Sequence, residues 1–316
     1  MNRRKALALL VALSISFSGC GAQAAIPGEV LPPQVESASE GSAASESPAQ
    51  KPMECRYYER ETCEAAMAAP RAYTGAGRLT AGMVPHHLVA ADMIAGFFSL
   101  AAAQEQPYDT VILVSPSHFP ENCGSDVVTA TADWNTPYGS LATDRSVADA
   151  LLQDAVIAAE DNRDAVESDH GAAGLVPFVR RYLPEAKLAV CLLSNRLSRE
   201  RLAQVQRVLL EQQENGRTLL VASADCSHYL MPDEAARRDG ETAAAIESRD
   251  FERLLTFGDA NIDSPQAVTT FLCAAQGNGD VVRLDHSSSA EKLPHAMGNP
   301  IYDEGITTYF VYGIFA

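Results

Sequence analysis

Five of the seven histidines in this chain stand where apolar runs give way to loops or helices. Pro85-His86-His87 follows the run from Leu79 to Val84, and Ser117-His118 follows the run from Thr110 to Val114. His170 lies in Asp169-His170-Gly171, ahead of a helical period, and His228 closes Ser223-Ala224-Asp225-Cys226-Ser227-His228. Imidazole changes charge near neutral pH, and in its neutral form it is the commonest metal ligand. One histidine at a strand end is better explained as a satisfied core residue than as a ligand. Several delivered to one sheet edge, with aspartates beside them, describe a site for metal-assisted or acid/base chemistry.

Strands of a parallel sheet would have to position these residues. Thr110 to Val114 is short, apolar after the threonine and mostly β-branched, the composition of a strand buried on both faces. Ser115-Pro116 stops its ladder, because proline has no N–H to donate. His118 therefore falls at the carboxyl end, where open α/β sheets place their ligands. Further strands are expected at Leu79–Val84, Ala186–Leu193 and Thr218–Ala224, near Val281, and at Ile306–Phe315. Helices are expected over Val89–Gln104, Arg145–Ala155, Gly171–Tyr182, Arg199–Glu214, Asp233–Leu255 and Pro265–Ala275. A hairpin is expected within Asp126–Thr143, turning between Asn135 and Gly139. The alternation predicts a three-layer α/β/α sandwich around a mostly parallel central sheet, in one domain over residues 71–316.

Residues 1–20 read as an export signal. Arg3, Arg4 and Lys5 precede an apolar run, Ala6 to Phe17, that is too short to span a bilayer comfortably. Ser18-Gly19-Cys20 resembles the lipobox of bacterial lipoproteins, in which the cysteine is lipidated and becomes the mature N-terminus. Phe17 stands where that family usually has leucine, and an ordinary signal peptide is the alternative. The expected location is the cell envelope, with the membrane met only through the lipid on Cys20. Residues 21–70 are expected to form a flexible tether, since Gly21 to about Lys51 has few large apolar residues to offset its ordering entropy. In an exported chain, Cys55 and Cys63 have equal claims to a small disulfide loop and to free thiols. The net charge of −17, without a basic cluster, repels phosphate backbones and argues against a nucleic-acid partner.

Five motifs occur in a telling order: P-H-H at 85–87, S-P-S-H at 115–118, T-P-Y-G at 136–139, D-H-G at 169–171 and A-S-A-D-C-S-H-Y at 222–229. In this order they resemble the Memo family, described in bacteria as AmmeMemoRadiSam system protein B and structurally akin to the class III extradiol dioxygenases. The resemblance runs from about Leu79 to the end of the chain. It implies that His86 and His118 are metal ligands. It also implies that Asp225 and His228, from the family's S-S-D-x-x-H-W/Y motif, line the same pocket. The histidine of the family's E-H-S-I-E falls on His170, with Ala173 in place of the glutamate. The glycine and tyrosine of the family's P-H-A-G-Y are absent, and His87, Leu88 and Val89 stand there instead.

The family's third ligand is a cysteine in C-G-x-x-P before a helix. Here that stretch is Asn261-Ile262-Asp263-Ser264-Pro265, which puts Asp263 in the cysteine's place. Two histidines and a carboxylate suit non-haem Fe(II), with copper as the alternative. A helix cap accounts for Asp263 equally well. On the ligand reading His228 is the expected general acid/base, Asp225 its orienting partner or a support for a ligand histidine, and His170 a second proton-transfer group. The implied function is oxidative metal-dependent catalysis on a small molecule. The alternative is a non-catalytic envelope protein that binds copper, iron or a peptide in the same cleft, with Cys226 near enough to serve a soft metal.

Overall fold

The run beginning at Thr110 is a strand, Thr110–Pro116, with every residue buried in the computed structural model. Its side chains alternate between two cores. Val111 and Leu113 enter one, and Ile112 and Val114 enter the other. Burial on both faces explains why the run is continuously apolar rather than alternating. The structure describes residues 50–213, 217–275, 279–293 and 305–316, all within the unit Pro48–Ala316. Cys20, the expected signal and the stretch 21–49 lie outside the described residues.

Among the described residues the main sheet has nine strands. They are β1 (Leu79–Val84), β2 (Thr110–Pro116), β3 (Val127–Thr129), β4 (Glu160–Asp161), β5 (Lys187–Leu193), β6 (Thr218–Ser223), β7 (Cys226–Leu230), β8 (Asp280–Ser288) and β9 (Ile306–Phe315). Their order is β7-β9-β1-β6-β2-β5-β3-β4, with β8 paired to β9. The centre, β1-β6-β2-β5, is parallel throughout. β9 runs antiparallel to β1, β7 and β8, and β3 antiparallel to β5. Four parallel strands therefore point their carboxyl ends at one edge.

Helices cover both faces. Ala91–Ala102 and Val176–Tyr182 pack into one core with Phe97, Phe98 and Phe178. Arg145–Gln153, Arg199–Glu211, Pro232–Glu247 and Pro265–Cys273 pack into the other. This is the expected three-layer arrangement. The helix expected over Gly171–Tyr182 is instead two short ones, His170–Ala173 and Val176–Tyr182, the second with Pro177 in its first turn. That expected over Asp233–Leu255 breaks after Glu247, where Arg249 adopts a positive φ of 56°.

Residues 50–70 are not tether. Met53–Glu54 adds a strand to the hairpin of Trp134–Thr136 and Gly139–Leu141. The helix Arg60–Ala68 follows and buries Cys63 and Ala66. Met53, Cys63 and Trp134 are all within the core that contains Phe97, and Arg56 Nε meets the buried Glu167 carboxylate at 2.9 Å. The domain therefore begins near residue 50 rather than at 71. Cys55 and Cys63 are free thiols rather than a disulfide. Burial pushes their pKa values up to about 12 and about 11.

Candidate metal centre

Each of the four parallel strands stops at the same edge, and the loops that follow them converge there. His86 comes just past β1, His118 just past β2, and Asp225 between β6 and β7. Asp263 comes from the segment before Pro265–Cys273, which a bridge between Cys226 and Ile262 ties to β7. His86, His118, His170, Asp225, His228 and Asp263 all line one cavity of about 1000 Å³. The six residues singled out in the sequence are brought together.

His86 is at the centre, with 4% of its surface exposed. Its Nδ1 lies 2.9 Å from Ser223 Oγ. The Ser223 hydroxyl donates its proton to the Gly171 carbonyl at 2.6 Å. The serine oxygen can therefore only accept from the imidazole, so His86 carries its proton on Nδ1. Burial, then His118 and His170, hold its pKa well below 6.5. The ring is neutral, and the Nε2 lone pair points at two carboxylates. Asp263 Oδ2 stands 3.3 Å away and Asp225 Oδ2 3.6 Å away.

His118 is oriented by a carboxylate. Asp169 Oδ1 accepts from its Nδ1 at 2.8 Å, and Asp169 Oδ2 accepts from its backbone N–H at 2.7 Å. Asp169 also accepts from the Gly171 N–H, capping His170–Ala173. Burial raises the Asp169 pKa, but the His118 contacts outweigh it and hold it below 3.8. His118 thus offers Nε2, the arrangement in which a carboxylate fixes the tautomer of a metal-binding histidine. A side chain at position 171 would enter this contact, since its Cβ would lie 2.6 Å from Ser115 Oγ and 2.8 Å from His118 Cε1.

Asp263 does not cap the helix after it. Ser264 does, its side chain accepting from the Ala267 N–H. Asp263 Oδ1 accepts from the Asp225 N–H at 3.2 Å. Its Oδ2 is buried without a hydrogen-bond partner. Burial, then the neighbouring Asp225, pushes the Asp263 pKa well above 3.8. An orphaned carboxylate oxygen facing an imidazole lone pair is electrostatically unfavourable without a cation or a proton between them. The donor set fits a divalent metal.

Among the described residues, two groups of side chains could hold one: His86 with His118 and His170, and His86 with Asp225 and Asp263. Both share His86, and the expected set of His86, His118 and Asp263 is divided between them. The His170 ring lies 3.8 Å from the His118 ring, and burial lowers its pKa below 6.5. His228 stands farther out, with Nε2 3.9 Å from Asp263 Oδ2. Its Nδ1 lies 3.4 Å from the Asp259 carbonyl, an oxygen that can only accept. The His228 proton is thereby assigned to Nδ1, with Nε2 free to take one up. Cys226 is fully buried and does not line the cavity, and burial pushes its thiol well above 9. Sequence reasoning missed Ser223 and the clamp of Asp169 on His118. Ser223 is 137 positions from His86, and only the parallel pairing of β1 with β6 brings them together.

The fold is that of known structures. An uncharacterized protein of Escherichia coli K12 superposes with a TM-score of 0.50 at 12% identity, covering 74% of this chain and 99% of that one. A MEMO1 family protein of Methanopyrus kandleri is 25% identical over 191 residues, covering 58% of this chain and 66% of that protein. One of Archaeoglobus fulgidus is 28% identical over 146 residues, covering 46% and 54%. These matches span less than two thirds of either relative. The model of the Memo-like protein family matches residues 61–293, and the chain belongs to that family.

Proposed function

We propose that the chain is a metal-dependent oxidative enzyme, of the extradiol-dioxygenase type, acting on a small molecule. The observation that carries this reading is the His86 Nε2 lone pair facing the unpartnered Asp263 Oδ2 at 3.3 Å. His86, His118 and Asp263 would hold the ion, and two histidines with a carboxylate suit Fe(II). When bound, the ion would supply a Lewis acid and a place for oxygen. The remaining steps belong to side chains. His228 takes a proton from substrate at Nε2, since the Asp259 carbonyl occupies its Nδ1. Asp225 Oδ1 accepts the His86 backbone N–H at 3.1 Å and fixes the loop carrying the ligand. His170, against the His118 ring, is the second proton-transfer group.

A non-catalytic metal-binding protein is the second reading. Its copper(I) form is disfavoured by Cys226, a buried thiol outside the cavity lining. We also propose that the chain is exported and anchored through a lipid on Cys20, on the strength of its basic start, apolar run and Ser18-Gly19-Cys20. Labelled fatty acid should enter the wild type and not Cys20→Ala. Among the described residues, no helix is long and apolar enough to cross a membrane.

Anaerobic purification followed by elemental analysis tests the metal, and oxygen uptake with a panel of catechols tests turnover. Stoichiometric iron, with uptake lost in His228→Ala while metal is retained, supports the enzyme. Metal without uptake favours the binder. A wild type that retains none of Fe(II), Cu(I) or Zn(II) above background rejects both.

A further inference from the structure

The cavity is electrostatically one-sided. Glu121, Asp225, Asp259 and Asp263 line it, and no lysine or arginine does among the described residues. Arg196, next to the lining residue Asn195, and Arg238, which donates to Asn261, are both engaged by other groups. Arg196 donates to the Pro120 carbonyl and faces Asp126, while Arg238 pairs with Glu234 and Glu241. Asp225 and Asp263 are deep and belong to the metal centre. Glu121 and Asp259 are exposed, and among the described residues neither carboxylate has an ion pair or hydrogen bond. Tyr229, beside His228, lines the same cavity with 75% of its surface exposed. Its backbone, at φ 53°, packs against Gly305, where a Cβ would lie 2.4 Å from the Tyr229 carbonyl carbon.

A cavity with unpaired carboxylates and a presented aromatic face recognises organic cations and repels anions. The buried, partnerless Asp263 Oδ2 in the same cavity points to a cationic occupant at its deep end as well. From this we infer that the site selects an amine-bearing small molecule, whose ammonium group is met by Glu121 and Asp259 with the Tyr229 ring beside it. Carboxylate- and phosphate-bearing analogues are excluded. This names the substrate class of the enzyme proposed above and rests on that reading for its chemistry, but not for its charge preference.

The test is a binding titration of the full chain at neutral pH and low salt with benzylammonium, benzyl alcohol and phenylmethanesulfonate. None of these competes strongly for a metal. Benzylammonium should bind about tenfold or more tightly than the sulfonate, with the alcohol between, and the preference should weaken as salt is added. In the double variant Glu121→Gln with Asp259→Asn the preference should collapse to about twofold, while metal content is unchanged. A wild type that holds no metal yet keeps the preference supports the inference and overturns the metal reading. Equal or tighter sulfonate binding, no binding of any probe, or a preference untouched by the double substitution overturns the inference, whatever the metal content.

Discussion

His86 Nε2 and Asp263 Oδ2 face each other across 3.3 Å without a hydrogen bond between them. The two residues are 177 positions apart (263 − 86), and different elements of the sheet edge deliver them. The apposition depends on Ser223, which fixes the His86 proton on the far nitrogen, and on Ser264, which takes the capping role that Asp263 would otherwise have.

Ser223→Ala tests the first dependence. Without the hydroxyl, His86 Nδ1 loses its acceptor and the Gly171 carbonyl loses a donor. Metal affinity should fall about 10–100-fold, the usual effect of removing a group that supports a metal-bound histidine. Stability should fall by only about 1–3 kcal/mol. Chelator competition and urea melts read the two effects separately. Unchanged metal affinity would reject the tautomer argument.

Acid should weaken the contact between the helix Ala91–Ala102 and Lys292. Asp92 accepts from Lys292 Nζ at 2.6 Å through both oxygens, and from Arg71 Nε at 2.9 Å. Burial raises the Asp92 pKa, but Lys292 and Arg71 outweigh it and hold it below 3.8. A depressed folded-state pKa stabilises above the unfolded value, and that stability is lost as pH falls through the folded one. Asp92→Asn should therefore lower stability at pH 7 by about 1 kcal/mol, discounted because the side chain is partly exposed. The difference should shrink steadily below pH 3.8, the carboxyl's ordinary value. Denaturant melts across that range check it; a difference that grows with acid would contradict the assignment.

The central strands and the residues at their ends were legible because burial on both faces leaves a compositional mark. Thr110 to Val114 has no other economical reading, and Pro116 marks where it must end. The site's supports were not legible. Ser223 and Asp169 are small polar residues of types found in any loop. The role of Ser223 exists only once parallel pairing has set β1 beside β6, and that of Asp169 only once the turn before His170–Ala173 lies against the end of β2. Asp263 and Ser264 are neighbours that both cap helices well, so sequence alone could not say which turns inward. Residues 53–66 were misread because few side chains there are apolar. Met53 is buried by pairing with Trp134, 81 positions away (134 − 53), and Cys63 and Ala66 by packing of their helix on Ala91–Ala102.

The packing of residues 53–66 into the core has a measurable consequence. A chain starting at Arg71 lacks Met53, Cys63 and Ala66, and it uncovers one side of Trp134. It also removes Arg56 from the buried Glu167. Losing one buried methionine side chain alone typically costs about 2–5 kcal/mol. The shortened chain should unfold at a clearly lower urea concentration than one starting at residue 48. Equal midpoints would restore the tether.

Ser264 and Asp263 are neighbours whose removal should have opposite effects. Ser264→Ala removes the cap of the helix Pro265–Cys273, whose side chain accepts from the Ala267 N–H. It should cost about 0.5–2 kcal/mol and leave metal content unchanged. Asp263→Ala does the reverse. Its Oδ2 makes no hydrogen bond, so removing it relieves an unpaired buried oxygen as well as deleting a ligand. Stability of the metal-free protein should fall by about 1–3 kcal/mol at most, since the Asp225 N–H loses its acceptor while the unpaired oxygen is relieved. Retained metal should drop as far as in His86→Ala, because two remaining protein ligands hold a labile divalent ion poorly. His170 complicates the outcome usefully, since it groups with His86 and His118 without Asp263. If Asp263→Ala keeps its metal and His170→Ala loses it, the three-histidine set is the true one and the carboxylate is not a ligand. If both keep it, neither group holds the ion. Loss in Asp263→Ala alone, with Ser264→Ala unaffected, assigns the third ligand.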